Sequence, residues 1–498
     1  MILLQELPFD VAERVYSKLA PSDLARVAGV SRTLHASVVP VLYRNVHFQL
    51  PAIIKDPDRL LHQLETFTDP GFDLLKHTLS VTVSGAWYHK YDELDATIGQ
   101  GQLVPPAIKM LNTLIVLCII KMPHLKKFCW DAFVPPDQRL LSKLAWIPRL
   151  DTLQIRLSSN HTPTPYFYPS LKLHDFRSLR CLNLFQVNKS PVLQSIGVVF
   201  NRVQHLVDVA LWADVDARLP LGPLFKEIDR SEPLPLQTLD LRGFATFGYP
   251  EISLWSTFSP ITLVNLTIEV GHMSRPEEVD DIWQDALAAN VRPSSLAINH
   301  ITPSLIRYLA SFQGLRTLHL MPHELALPIG PFVDFIKTVV TAHDGSLHVL
   351  GIFPPDINSQ AYLLDAQLLT WVVQRCPRLT EFGFGVAPDQ IDRVSLLFGL
   401  FQLRVLHIQV VAQNPTAGTK SEGNVDGADP VARLCDVLVG GIKKGLCPEL
   451  TYVAFDEGPL CYVGSASREL HVMSEYIPRI RNTTLFGQRM LQWMDDVF

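Results

Sequence analysis

Apolar residues along most of this chain recur in the form LxxLxL. Well-formed copies are Leu150-Leu153-Ile155, Leu179-Leu182-Leu184, Leu236-Leu239-Leu241, Leu263-Leu266-Ile268, Leu315-Leu318-Leu320, Leu347-Leu350-Ile352 and Leu403-Leu406-Ile408. Looser copies are Leu125-Phe128-Trp130, Leu206-Val209-Leu211, Leu379-Phe382-Phe384 and Leu450-Val453-Phe455, and Leu296-Ile298 lacks its first leucine. The last two apolar residues of each copy stand two apart, so they share one face of a short strand. Between copies lie stretches of helical periodicity, at 191–203, 279–290 and 361–374. Leu79 to Val83 reads as a degenerate first strand.

The copies recur about every 28 residues, apart from a longer last gap between Leu406 and Val453. A strand and a helix cannot bury their own apolar faces, whereas stacked neighbours can. The expected fold is therefore α/β: a curved leucine-rich-repeat solenoid over 79–457, with an inner parallel sheet and outer helices. Residues 414–429 are small, polar and Gly-rich and read as a mobile insertion; 158–170 read as a loop. Residues 430–444 read as a helix, and 458–498 as a C-terminal cap with a late helix near 488–497. No regular Asn or Cys ladder follows the strands.

Side chains alternate along a strand, so positions flanking the inward leucines are expected on the concave face. They are Arg156, Phe185, Trp212, Asp240, Arg242, Glu269, His319, Phe353, His407, Tyr452 and Asp456. Binding energy concentrates on Trp, Tyr and Arg, which selects Arg156, Trp212, Arg242 and Tyr452 as candidates for contact with a protein substrate.

The first residues differ from everything after them. Pro8 suits a first helical turn, and Val11, Val15 and Leu19 then make an apolar stripe. Pro21-Ser22-Asp23 is a break followed by capping residues, ahead of a second helix with Leu24, Val27 and Ala28 inward, which Gly29 ends. Ser31 caps a third helix, with Leu34 and Val38 inward, that Pro40 is expected to interrupt. Three helices this short bury little surface, so the module should lean on the rest of the chain or on a partner.

This stretch resembles the F-box, without gaps. The carriers are Leu7-Pro8, Asp10, Val15 and Leu19, Asp23-Leu24, Val30-Ser31-Arg32, and the closing Pro40-Val41-Leu42-Tyr43. Leu34 and Tyr43 stand where many members carry Trp, and Asp10 falls one position late. The repeats look like the degenerate ones of fungal F-box proteins. The resemblance divides the chain into 1–48 as F-box, 49–78 as a linker with a helix at 59–67, the repeat array, and the C-terminal cap. It implies a non-catalytic substrate-recognition subunit of a cullin-type ubiquitin ligase, with the adaptor subunit bound by Leu7, Pro8, Val11, Val15, Leu19, Leu24, Val27, Val30 and Leu34 or their neighbours. Some of these must hold the helices together instead. The alternatives are a repeat scaffold whose N-terminal helices only cap the array, and an F-box protein that engages no cullin.

Composition agrees with a large core: of 498 residues, 47% are hydrophobic and only 18% charged. The net charge of −6, without a long basic run, points away from nucleic acid and anionic membrane as partners. The most apolar stretch, Leu111 to Ile120, is too short to span a bilayer. Seven dispersed cysteines without a CxxC pair fit reduced thiols, and the N-terminus has no signal-peptide pattern, so an intracellular site, cytoplasmic or nuclear, is expected. The four glycosylation sequons then read as chance. No nucleophile elbow, phosphate loop or paired metal ligands occur, and Asp131, Asp240, Glu269 and Asp456 are scattered. No enzyme activity, cofactor or metal is expected.

Overall fold

The protein's computed structural model describes residues 8–50, 57–85, 106–132, 136–157, 173–214, 218–226, 228, 232–247, 254–271, 276–321, 332–353, 362–411, 430–455, 461–463 and 470–472. The chain forms two compact units, Met1–Leu236 and Gln237–Phe498.

The first unit opens with helices α1 (Phe9–Tyr16), α2 (Pro21–Ala28) and α3 (Arg32–Leu42). Then follow β1 (Asn45–Gln49), α4 (Pro57–Thr68), β2 (Ser80–Gly85), α5 (Pro106–Ile120), β3 (Lys127–Ala132), α6 (Gln138–Ala145), β4 (Thr152–Arg156), β5 (Cys181–Val187), α7 (Ser190–Arg202), β6 (Asp208–Ala213) and α8 (Gly222–Lys226). Strands β1 to β6 pair in sequence order, all parallel.

The second unit repeats the plan with β7 (Thr238–Phe244), α9 (Leu254–Thr257), β8 (Asn265–Val270), α10 (Pro276–Ala288), β9 (Ser295–Ile298), α11 (Pro303–Ala310), β10 (Thr317–Leu320), α12 (Phe332–His343), β11 (Val349–Ile352), α13 (Ala366–Arg375) and β12 (Glu381–Val386). A 3₁₀ helix (Pro388–Gly399), β13 (Val405–Val410), α14 (Pro430–Lys443) and β14 (Tyr452–Phe455) complete it. β7 to β14 are parallel neighbours in order. The chain then reverses: β15 (Cys461–Val463) and β16 (Leu470–Val472) add antiparallel.

The repeated leucines explain the layers. Where a copy has its first Leu, that residue anchors the turn, and the next two apolar residues point from the strand toward the helices; Leu150, Leu153 and Ile155 are all buried. Each such side chain contributes about 1.5–3 kcal/mol by leaving water. Helix starts are set locally: Ser31, Asp137, Thr302 and Asp365 each accept a backbone N–H of the first turn. No helix among the described residues is long and apolar enough to cross a membrane.

Four expectations change. The inward stripe of α1 is rotated by one residue: Ala12 and Tyr16 are buried with Leu24 and Val38, whereas Val11 and Val15 face out. Pro40 does not end α3, which continues to Leu42. Pro40 lacks the N–H that would bond one turn back, and the helix runs only two residues beyond it. Capping of α2 rests on Pro21 at its first position, with no side-chain cap bond at Ala20; Asp23 instead pairs with Arg26. Finally, a strand, β1, runs through the boundary expected at 48/49, so the helical module continues straight into the sheet. The loop 158–170, the insertion 414–429 and the late helix at 488–497 lie outside the described residues.

Candidate binding surfaces

Two surfaces carry the residues that sequence reasoning singled out. On the helical module, the core consists of Ala12, Tyr16, Leu24 and Val38, with Leu19, Val27, Ala28, Val41 and Leu42 packed against it. Tyr16 reaches Ser37 Oγ at 3.2 Å. Ser37 Oγ–H donates to the Leu34 carbonyl, so the phenol O–H donates to Ser37.

The nine candidate adaptor contacts therefore divide. Pro8, Val11, Val15 and Val30 are exposed; Val11 is 40%, Val15 39% and Val30 72% open to solvent. Leu19 and Val27 are half-buried. Leu24 and Leu34 are buried, Leu24 within the module's core, which removes them as contacts. Leu7 lies outside the described residues. The helical spacing of Val11 and Val15 was visible in the sequence; that Tyr16 and Ala12 would take the inward face was not, because a Tyr and an Ala give a weaker apolar signal than two valines.

The module is fastened to the first repeats. Leu79 and Ser80 donate their N–H groups to the Arg44 carbonyl at 2.8 and 3.1 Å, and Thr78 Oγ1 donates to the Tyr43 carbonyl at 3.0 Å. The Tyr43 ring meets Phe67 and Phe72 edge-on, and Phe67 in turn meets Phe48. Lys121 Nζ donates to the Phe67, Asp69 and Phe72 carbonyls at the end of α4.

The second surface is the sheet face opposite the leucines. Here the expectation of solvent exposure is corrected. In the first unit, Arg156 Nε donates to Asp131 Oδ1 at 2.5 Å, and Trp212 packs edge-on against Phe185 with centroids 4.5 Å apart. In the second, Arg242 donates to both oxygens of Asp240 at 2.8 and 3.1 Å and lies 3.0 Å from Glu269 Oε1. Arg156, Trp212, Arg242, Glu269, His319, Phe353 and His407 are all buried. Burial pushes His319 down to about 3, with the Arg242 charge adding to it. Phe353 lies over Gly383 and against His407, 4.9 Å between ring centroids. Tyr452 is half-buried on a cluster of Met321, Val349, Phe353, Val405 and Ala454. Asp456 lies outside the described residues.

The reason is register. Neighbouring strands are aligned residue to residue, so opposite charges on adjacent repeats, Asp131 beside Arg156 and Arg242 beside Glu269, meet across the sheet and satisfy each other. Sequence spacing showed that these positions share a face; it did not show that they would be closed.

No group of three metal-ligating side chains occurs among the described residues. Burial pushes the Cys118 and Cys376 thiols up to about 12 and Cys129 and Cys181 up to about 11, so these sulfurs stay protonated and weakly nucleophilic at neutral pH.

Parallel strands in sequential order, outer helices and buried leucine positions define the chain as an α/β protein of the leucine-rich-repeat type, with a three-helix module at its start. No family model and no curated protein matches it. Among solved structures it is similar to a complex of Rad7 and Elc1 in yeast, at 13% identity and a TM-score of 0.38, over 85% of this chain and 94% of that one. It is also similar to an internalin, inlF, from Listeria monocytogenes, at 11% identity and a TM-score of 0.33, over 73% of this chain and 93% of that one. Likenesses of this strength add nothing to the functional reading.

Proposed function

We propose that this chain is the substrate-recognition subunit of a cullin-type ubiquitin ligase: the N-terminal module is an F-box that docks on the adaptor, and the repeat array holds a protein substrate. One observation carries the reading. The module has a closed core of its own, and yet α1 keeps Val11 and Val15 in solvent one turn apart, beside Pro8. Apolar side chains that a core does not need are the material of a protein interface.

On this reading the chain makes no covalent intermediate and needs no cofactor or metal. It holds the substrate near a conjugating enzyme, raising the effective concentration of the attacked and attacking groups. An intracellular site, cytoplasmic or nuclear, belongs to the same proposal; Cys118, Cys129, Cys181 and Cys376 are thiols, as a reducing compartment favours.

The test is adaptor binding by the full chain beside Val11→Asp/Val15→Asp, with circular dichroism confirming that the variant is folded. Binding by the intact chain and its loss in the folded variant are expected. An intact chain that ignores the adaptor, or a variant that binds it equally, overturns the reading.

A second reading is a repeat scaffold whose helices only cap the array. It is favoured by the fastening of Tyr43 and Arg44 to the first repeats, and it predicts no adaptor binding at all.

A further inference from the structure

The entrances of β1 to β4 bring together cations that are far apart in sequence. Ser80 N–H donates to the Arg44 carbonyl at 3.1 Å, Lys127 to Leu79 at 3.0 Å and Thr152 to Lys126 at 3.0 Å. The residues just ahead of these strands thus stand side by side. Around them lies a groove of about 330 Å³ whose polar lining includes Glu13, Arg44, Lys76, His124, Lys126 and Arg149. Four lysines and arginines against one glutamate line it, in a chain whose net charge is −6.

The compensation inside the groove is incomplete. Glu13 Oε1 accepts from Arg44 Nη1 at 2.5 Å, and Lys76 pairs with Asp73 at its rim. Arg149 Nη1 lies 3.5 Å from His124 Nδ1, a guanidinium against an imidazole. Lys126 and Arg149 have no carboxylate partner among the described residues. Their positive charge is thus left to solvent and open to an incoming carboxylate.

We propose that this groove binds an acidic peptide segment in extended conformation. Its length favours that ligand over a single anion: three steps of roughly 4.8 Å from β1 to β4 span about four extended residues at about 3.3 Å each. Its floor of Pro40, Val41 and Leu79 suits a peptide's aliphatic parts. Its only aromatic rings are the imidazoles of His77 and His124, and no Phe, Tyr or Trp offers a base the stacking platform of a single-strand site, which disfavours single-stranded nucleic acid. Glu13 competes with an incoming carboxylate for Arg44. The proposal does not depend on adaptor docking, since its ligand-binding cations belong to the strand entrances.

The probe is a fluorescein-labelled hexaglutamate peptide, titrated by fluorescence anisotropy with the full chain at low salt, beside hexaglutamine and a ten-nucleotide oligothymidylate. Saturable binding of hexaglutamate is expected, weakening as salt rises. Lys126→Glu/Arg149→Glu, both on exposed positions, should weaken it about tenfold or more, and Glu13→Gln should tighten it a few-fold. The proposal is overturned by equal binding of hexaglutamine, by tighter binding of the oligonucleotide, or by charge reversals that leave the affinity unchanged in a chain of native circular dichroism.

Discussion

Whether α1 presents Val11 and Val15 to a partner depends on which of its faces is core, and that face can be tested by substitution. Tyr16 is 1% exposed and packs in the module's cluster. Truncating a large aromatic at such a site costs about 3–5 kcal/mol through lost transfer energy and the cavity left behind. Tyr16→Ala should therefore open the module. Tyr16→Phe should cost only about 0.5–1.5 kcal/mol, one net hydrogen bond, because Ser37 keeps its own acceptor at the Leu34 carbonyl. Val11→Ser and Val15→Ser, both about two-fifths exposed, should each cost well under a third of the Tyr16→Ala effect. Hydrogen–deuterium exchange of the α1–α3 amides is the assay, because it registers opening of the module even while the rest of its unit stays folded. Protection falling further in Val11→Ser/Val15→Ser than in Tyr16→Ala would refute the assignment of faces, and with it the exposed apolar patch on which adaptor docking rests.

Three further outcomes concern the second unit. Arg242→Met strands the Asp240 and Glu269 carboxylates in a buried place and should destabilise the second unit by about 3–5 kcal/mol in urea titrations, most of it recovered when Asp240→Asn and Glu269→Gln are added. Gly383→Ala puts a methyl 2.3 Å from Phe353 Cζ, so the ring must leave His407; a loss of about 1–3 kcal/mol is expected, shrinking in a Phe353→Ala background. Buried His300 and His319 have folded values near 3 against 6.5 in the open chain. Between those limits the unfolded state binds more protons, so stability is lost as pH falls from about 6.5, by up to about 1.4 kcal/mol per pH unit for each histidine. Urea midpoints at pH 7 and pH 5 check this, and a His319→Leu variant should show the smaller drop.

The repeat array was legible because its signal is periodic. Leu315, Leu318 and Leu320, or Leu403, Leu406 and Ile408, are required at those spacings by a strand that must bury one face against helices, and all six are buried. The helices at 190–202, 276–288 and 430–443 likewise follow from a 3.6-residue pattern that short-range chemistry sets. Burial of the opposite face was not legible. It depends on pairings between repeats, such as Asp131 with Arg156, that lie about one period apart and have no local signature. Strand β1 escaped for a similar reason: Asn45-Val46-His47-Phe48-Gln49 carries only two apolar residues and becomes a strand by pairing with β2. On the module, two valines four residues apart outweighed Ala12 and Tyr16 as a stripe, although a buried ring with a satisfied hydroxyl fills far more of a small core than a valine does.

On the proposed substrate-recognition reading, burial disfavours the second unit's sheet face opposite the leucines as the contact surface. To contact Arg242, a partner would have to replace an ion triad that is already made, so the exchange of one set of buried bonds for another brings little net affinity. The strands β1 to β5 differ. On the same sheet face His47 and Gln49 are exposed, and Thr82, Gln154 and Asn183 are half-buried. Hydrogen-bonding groups there face water and can exchange it for a partner at low cost. The cation-lined groove opens at the entrances of four of these strands. A substrate with an acidic segment could therefore lay that segment at the strand entrances and its neighbouring polar residues along the open face. On that view, Gln154→Ala/Asn183→Ala together with Lys126→Glu should abolish capture of such a substrate while Arg242→Lys leaves it standing. The reverse ranking, measured on folded variants, would return the site to the closed face of the second unit.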